Sequence, residues 1–218
     1  MTEHHFLVRR TARYYTIGQL NDQTRNIWFC LHGFGQLAQY FSRKFTELDD
    51  GQTLLVVPEG LSRMYLDQSY QRIGASWMSR EDRDHEISDY VLYLDSLYDL
   101  ILDGRQPAKA QLHITVFGFS QGAATACRWL ENQHVRANRL IMWAGYFPQG
   151  IADLISSVTL TQTETHYVYG RQDEYISAIA DSAAYLDRLQ ADIPNLEITA
   201  FEGGHKVEPE VLKSLLRN

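Results

Sequence analysis

Short apolar runs recur along the chain, separated by longer mixed segments. They are "NIWFCL" (26–31), "TLLVVP" (53–58), "LHITVFG" (112–118), "RLIMWAG" (139–145), "THYVYG" (165–170) and "LEITAF" (196–201). Several are apolar throughout, as strands covered on both faces of a parallel sheet should be. Between them the spacing turns helical. Ile87, Val91, Leu94, Tyr98 and Ile101 fall on one face, Ser79 with Asp82 resembles a capping box, and Gly104 stands at the place of a C-cap. Ile176, Ile179, Ala183 and Leu186 mark another helix, and Pro209 suits the first turn of a last one. Residues 5–17 read as an antiparallel hairpin at the sheet edge. Strand and helix in alternation predict a three-layer α/β/α sandwich with a mostly parallel sheet. Such a sheet receives ligands at the carboxyl ends of its strands.

Composition narrows the class. With 218 residues, 44% of them hydrophobic, the chain supplies one sizeable core and is short for two, so a single domain over 1–218 is expected. The net charge of −7 argues against a nucleic-acid partner, which requires a basic face. Arg9, Arg10 and Arg13 in "RRTAR" read as a local solvated face of the hairpin. No run approaches the ~18 apolar residues of a membrane span. The start "MTEHHFLVRR" lacks the apolar core of a signal peptide, so a cytoplasmic protein is expected. Cys30 and Cys127 have no metal or redox spacing and are expected to pack as small hydrophobes. Nothing in the sequence sets the oligomeric state.

Chemistry enters at "VFGFSQGAATA" (116–126), where Gly118 and Gly122 flank Ser120 between a strand and a helix. One reading is a helix-capping serine. The other is a nucleophile elbow, in which a sharp turn holds the hydroxyl up and side chains two residues away on either side would collide. The small residues Ala123, Ala124 and Ala126 favour the second reading, because they let the helix approach the sheet. Its N-terminus then offers backbone N–H groups to a developing oxyanion.

A serine hydroxyl needs a base, and an acid to orient that base, following in the order Ser, Asp or Glu, His. His205 lies in "FEGGHKVEPE", between the last strand and the last helix. His4 and His5 are terminal, His113 and His166 start strands, His85 sits in a charged helix start and His134 in a loop. For the acid, Asp173 in "YGRQDEYI" follows the strand ending at Gly170, with Glu174 as its neighbouring competitor and Asp153 and Asp181 less well placed. Asp173 would fix the His205 tautomer and stabilise the imidazolium. The loop "LHGFGQ" (31–36) should supply the Phe34 N–H as one oxyanion donor and the Gln121 N–H its partner. His32 reads as holding that loop by a structural hydrogen bond. No second histidine stands at ligand spacing from it, and no phosphate loop or dinucleotide fingerprint is present. Neither metal nor cofactor is expected.

On "LHGFG", "GFSQG", "YGRQDEYI" and "FEGGH", with "GASWM" before the long helix, the chain resembles the phospholipase/carboxylesterase family of α/β-hydrolases, which includes acyl-protein thioesterases. The resemblance implies nucleophile Ser120, base His205, acid Asp173 and backbone donors Phe34 and Gln121. It also implies cofactor-free hydrolysis of a small-molecule ester or thioester through an acyl-enzyme. Gln36 stands where family members commonly carry Asp, and Ala123 where they often have glycine. The stretch 58–78 fits the family less well. Since it would roof the acyl pocket, the substrate is where this chain departs. Trp77, Tyr65, Tyr70, Trp143, Tyr146 and Phe147 fall in or beside loops at the catalytic end and are candidates to line that pocket. A larger substrate, as for a lysophospholipase or peptidase, and a non-catalytic binder on the same scaffold are the rival readings.

Overall fold

A computed structural model describes residues 1–103 and 112–215. The elements in chain order are β1 (Tyr14–Ile17), β2 (Asn26–Leu31), α1 (Ala38–Phe41), a 3₁₀ segment (Ser42–Leu48), β3 (Thr53–Pro58), β4 (Ser62–Tyr65), β5 (Ile73–Ser76) and α2 (Arg83–Leu102). There follow β6 (His113–Phe119), α3 (Gln121–Glu131), β7 (Arg139–Trp143), β8 (Glu164–Gly170), α4 (Glu174–Ser177), α5 (Ser182–Asp192), β9 (Leu196–Phe201) and α6 (Pro209–Leu215). All six apolar runs are strands.

Seven strands form one sheet in the order β1-β3-β2-β6-β7-β8-β9, parallel except for β1. Alternation along β2 shows why both faces are apolar. Ile27, Phe29 and Leu31 join a cluster with residues of α2, α3 and α5, while Trp28 and Cys30 join another with α1 and α6. Cys30 and Cys127 are buried and free, and belong to opposite clusters, as small hydrophobes. No helix of the described residues is long and apolar enough to cross a membrane.

Several local expectations change. Residues 1–13 form no strand; the antiparallel edge is β1 alone, paired with β3 from Tyr14↔Pro58 to Ile17↔Leu55. Arg13 is exposed, as expected of a solvated residue, but its guanidinium also forks onto the buried Glu59. The start of α2 is no capping box. Asp82 sits at φ +51° with no capping hydrogen bond from its side chain, and the Glu86 carboxylate instead accepts the Ser79 N–H. Gly104 lies outside the described residues. The helix expected around Ile176–Leu186 is two, since Asp181 accepts from the Ala184 N–H and caps a fresh start at α5. The 58–78 stretch is ordered into the antiparallel pair β4–β5.

Candidate active site

Ser120 stands between β6 and α3 at φ +54°, ψ −116°, a backbone conformation that costs free energy in any L-residue. The flanking glycines allow it. A Cβ on Gly118 would stand 2.3 Å from the Gly122 carbonyl oxygen, and one on Gly122 would stand 2.3 Å from that of Leu31. The Ser120 N–H donates to the Trp143 carbonyl at 2.8 Å, which ties the turn to β7.

Two loops at the carboxyl end of the sheet meet this serine. His205 Nε2 lies 2.9 Å from Ser120 Oγ, and His205 Nδ1 lies 2.7 Å from Asp173 Oδ2. Asp173 is fully buried, and its other oxygen accepts the Tyr175 N–H at 2.9 Å. Glu174 is exposed and begins α4, so of the two acids only Asp173 meets the imidazole. The acid and histidine loops are also joined through the backbone. Arg171 N–H donates to Phe201 O and Gln172 N–H to Gly203 O, each at 2.9 Å. Phe119 and Tyr175 pack on the His205 ring with centroids 4.9 and 4.7 Å away. With Nδ1–H donated to Asp173, Nε2 is free to accept the serine proton.

The residues next to Phe34 and before Gln121 meet at the serine turn. A Cβ on Gly33 would stand 3.2 Å from Ser120 Cβ, and Gln121 is the first residue of α3. Neither the Phe34 nor the Gln121 N–H has a backbone acceptor among the described residues. His32 fixes the Gly33 end. Gly60 N–H donates to its Nε2 at 2.9 Å, so the proton is on Nδ1, which donates to the Gly33 carbonyl at 2.7 Å. Burial pushes the His32 pKa down to about 4, against the opposing pull of the Gly33 carbonyl and the Glu59 charge, so the ring is neutral. The Gly33 N–H donates to the Gln36 side chain at 2.9 Å. Gln36 thus braces this loop with its amide.

Sequence reasoning passed over two residues. Gln121 was expected to act through its backbone, but its side chain is fully engaged. Oε1 accepts the Trp77 N–H at 3.1 Å, and Nε2 donates to Ser76 Oγ and Met78 O at 3.0 Å each. Strand β5 therefore touches both sides of the site, since the Gly35 N–H also donates to Ala75 O at 2.8 Å. Glu59, at the end of β3, accepts from Arg13, from Arg63 at 2.7 Å and from the Ala38 N–H at 3.1 Å. Burial pushes its carboxyl pKa up, yet the hydrogen bonds from Arg63 and Arg13 outweigh burial and hold it below its usual range. The i,i+4 spacing of Glu59 and Arg63 was the available signal.

The aromatic candidates separate. Trp77, Trp143 and Phe147 are at most 2% exposed and close the core, with Trp77 Nε1 donating to His32 O and Trp143 Nε1 to Lys206 O. The indole N–H groups of Trp77 and Trp143 thus tie loops to the core. Tyr65, Tyr70 and Tyr146 are exposed. One group of described residues has metal-ligand spacing: the exposed His5, Asp82 at the start of α2 and His85 in its first turn, already paired with one another.

The profile of the phospholipase/carboxylesterase family matches residues 13–217. No curated protein sequence matches the chain significantly. Among solved structures, acyl-protein thioesterase 2 of Zea mays superposes with a TM-score of 0.68 at 17% identity, over 95% of this chain and 97% of that one. Esterase PE8 gives 0.59 at 15% identity over 95% and 99%. SOBER1 of Arabidopsis thaliana gives 0.60 at 16% over 88% and 96%. What these structures share with the chain is the α/β-hydrolase fold.

Proposed function

Because the chain belongs to the phospholipase/carboxylesterase family, we propose that it is a serine hydrolase of carboxylic esters or thioesters with small to medium acyl chains. The observation that carries this reading is the line Ser120 Oγ, His205, Asp173, with contacts of 2.9 and 2.7 Å, on a serine held at positive φ. A binding protein has no use for a strained serine aligned on an imidazole held by a buried carboxylate.

Ser120 Oγ attacks the carbonyl carbon while its proton passes to His205 Nε2. Asp173 holds the Nδ1–H and stabilises the imidazolium without taking the proton. The carbonyl oxygen, now an oxyanion, is received by the N–H groups of Phe34 and Gln121, and the second of these also carries the positive end of α3. Collapse expels the alcohol or thiol, which leaves with the proton from His205. Water then attacks the acyl-Ser120 ester, with His205 again as base.

The test is hydrolysis of 4-nitrophenyl acetate, butyrate, octanoate and palmitate by the wild type beside Ser120→Ala. Turnover lost in the variant, with an optimum among the shorter chains, supports the reading. Turnover that survives in Ser120→Ala contradicts it.

A further inference from the structure

His205 stands on the loop between β9 and α6, so no helix or strand sets the direction of its imidazole. Two hydrogen bonds shape the backbone of that loop: Gln172 N–H donates to Gly203 O and Lys206 N–H to Gly204 O, each at 2.9 Å. Neither holds the ring. The Asp173 carboxylate holds it at one corner, Nδ1, at 2.7 Å. One hydrogen bond at one corner does not stop the ring from swinging. A swing of about 1 Å at Nε2 would spoil the 2.9 Å approach to Ser120 Oγ.

Two aromatic side chains close on the imidazole. Phe119, the buried last residue of β6, has its ring centroid 4.9 Å from that of His205 at an interplanar angle of 42°. Tyr175 comes from α4, is 53% exposed, and lies at 4.7 Å and 61°. It also reaches the acid. Its N–H donates to Asp173 Oδ1 at 2.9 Å, while Oδ2 of the same carboxylate meets His205. One residue thus touches both partners of the serine, the acid through its backbone and the base through its ring.

Other tasks for that ring are already filled. Helix α4 is capped by the Asp173 side chain and anchored by the buried Ile176. No hydrogen bond of the described residues uses the Tyr175 hydroxyl. A ring more than half exposed also adds little to the core.

Resting on the hydrolase reading, we propose that Tyr175 is a positioning residue. Its ring holds the His205 imidazole on the line from Asp173 to Ser120 Oγ and covers it from water. The serine proton then meets an acceptor fixed in place, and the Asp173–His205 contact stays in a dry setting where it is stronger.

The experiment compares Tyr175→Ala and Tyr175→Phe with the wild type. On 4-nitrophenyl butyrate, Tyr175→Ala should lower kcat about tenfold, the scale of one aromatic contact and a slightly misplaced base. KM should stay within about twofold, because the ring acts on the histidine and not on bound substrate. Tyr175→Phe should restore kcat, since the hydroxyl has no part in the contact. Proton NMR adds a readout that needs no substrate. The low-field resonance of the His205 Nδ1–H, identified by its loss in His205→Ala, should be sharp in the wild type and in Tyr175→Phe. In Tyr175→Ala it should be broadened by exchange with water. An unchanged kcat in Tyr175→Ala overturns the proposal, as does a loss expressed in KM, a loss that Tyr175→Phe does not recover, or an Nδ1–H signal as sharp as that of the wild type. Each of these outcomes leaves the hydrolase reading intact, since that reading fails only if no ester is cleaved or if Ser120→Ala still cleaves them.

Discussion

The Gln121 side chain accepts the Trp77 N–H at 3.1 Å, while the Gln121 backbone N–H stands beside Ser120 as a proposed oxyanion donor. One residue thus joins the serine turn to β5, and β5 in turn holds Gly35 on the opposite side of the site through Ala75. Gln121→Leu keeps the side-chain bulk but loses all of these hydrogen bonds. It should lower kcat by about 10- to 100-fold, the cost of misplacing a donor, and leave KM nearly unchanged. A variant that raises KM and spares kcat would assign Gln121 to substrate binding instead.

Asp173 and Glu174 are neighbours with opposite surroundings, one buried on His205 and one exposed. Asp173→Asn should reduce kcat by about 10⁴-fold by forcing the wrong histidine tautomer, while Glu174→Gln stays near wild type. Steady-state kinetics on 4-nitrophenyl butyrate decide it, and the reverse pattern would move the acid to Glu174.

His32 makes a stability prediction. Its folded pKa of about 4 lies below the ordinary 6.5, so on acidification the unfolded chain takes up this proton first. Stability from this group is therefore complete above pH 6.5 and lost as pH falls towards 4, by about 1.4 kcal/mol per unit. Urea midpoints of wild type and His32→Gln, compared from pH 8 to 4, should converge across that window. Curves that run parallel throughout would contradict the account.

Glu59 is fully buried between two arginines that are each 42% exposed. Arg13→Ala or Arg63→Ala alone leaves one partner and should cost about 1–2 kcal/mol. The double variant strands a buried carboxylate and should cost about 3–5 kcal/mol. Chemical denaturation of the three variants measures this, and a double variant as stable as either single one would show that Glu59 is protonated or solvated.

What was legible in the sequence followed from strong local causes. The six parallel strands were readable, and in those inside the sheet burial on both faces leaves near-continuous apolar runs, as in "TLLVVP". Ser120, Asp173 and His205 were readable because each sits just past a strand, where the order Ser, acid, His gives a spacing rule. The errors lie where tertiary contacts outrank local pattern. Arg13 was drawn from its expected hairpin by Glu59, 46 residues away. The break at Asp181 was hidden because apolar spacing runs on through it, although Asp-Ser-Ala-Ala is itself a start signal. That Trp77, Trp143 and Phe147 are buried was not readable either, because strand ends adjoin the site and nothing local says which way a ring turns.

The central claim is that Ser120 is an activated nucleophile, and active-site titration with a fluorophosphonate tests it most directly. Intact-mass analysis should show one phosphonyl adduct per chain, mapped by peptide sequencing to Ser120, absent from Ser120→Ala and strongly slowed in His205→Ala. An unlabelled, folded wild type, or an adduct on a different residue, would contradict the account.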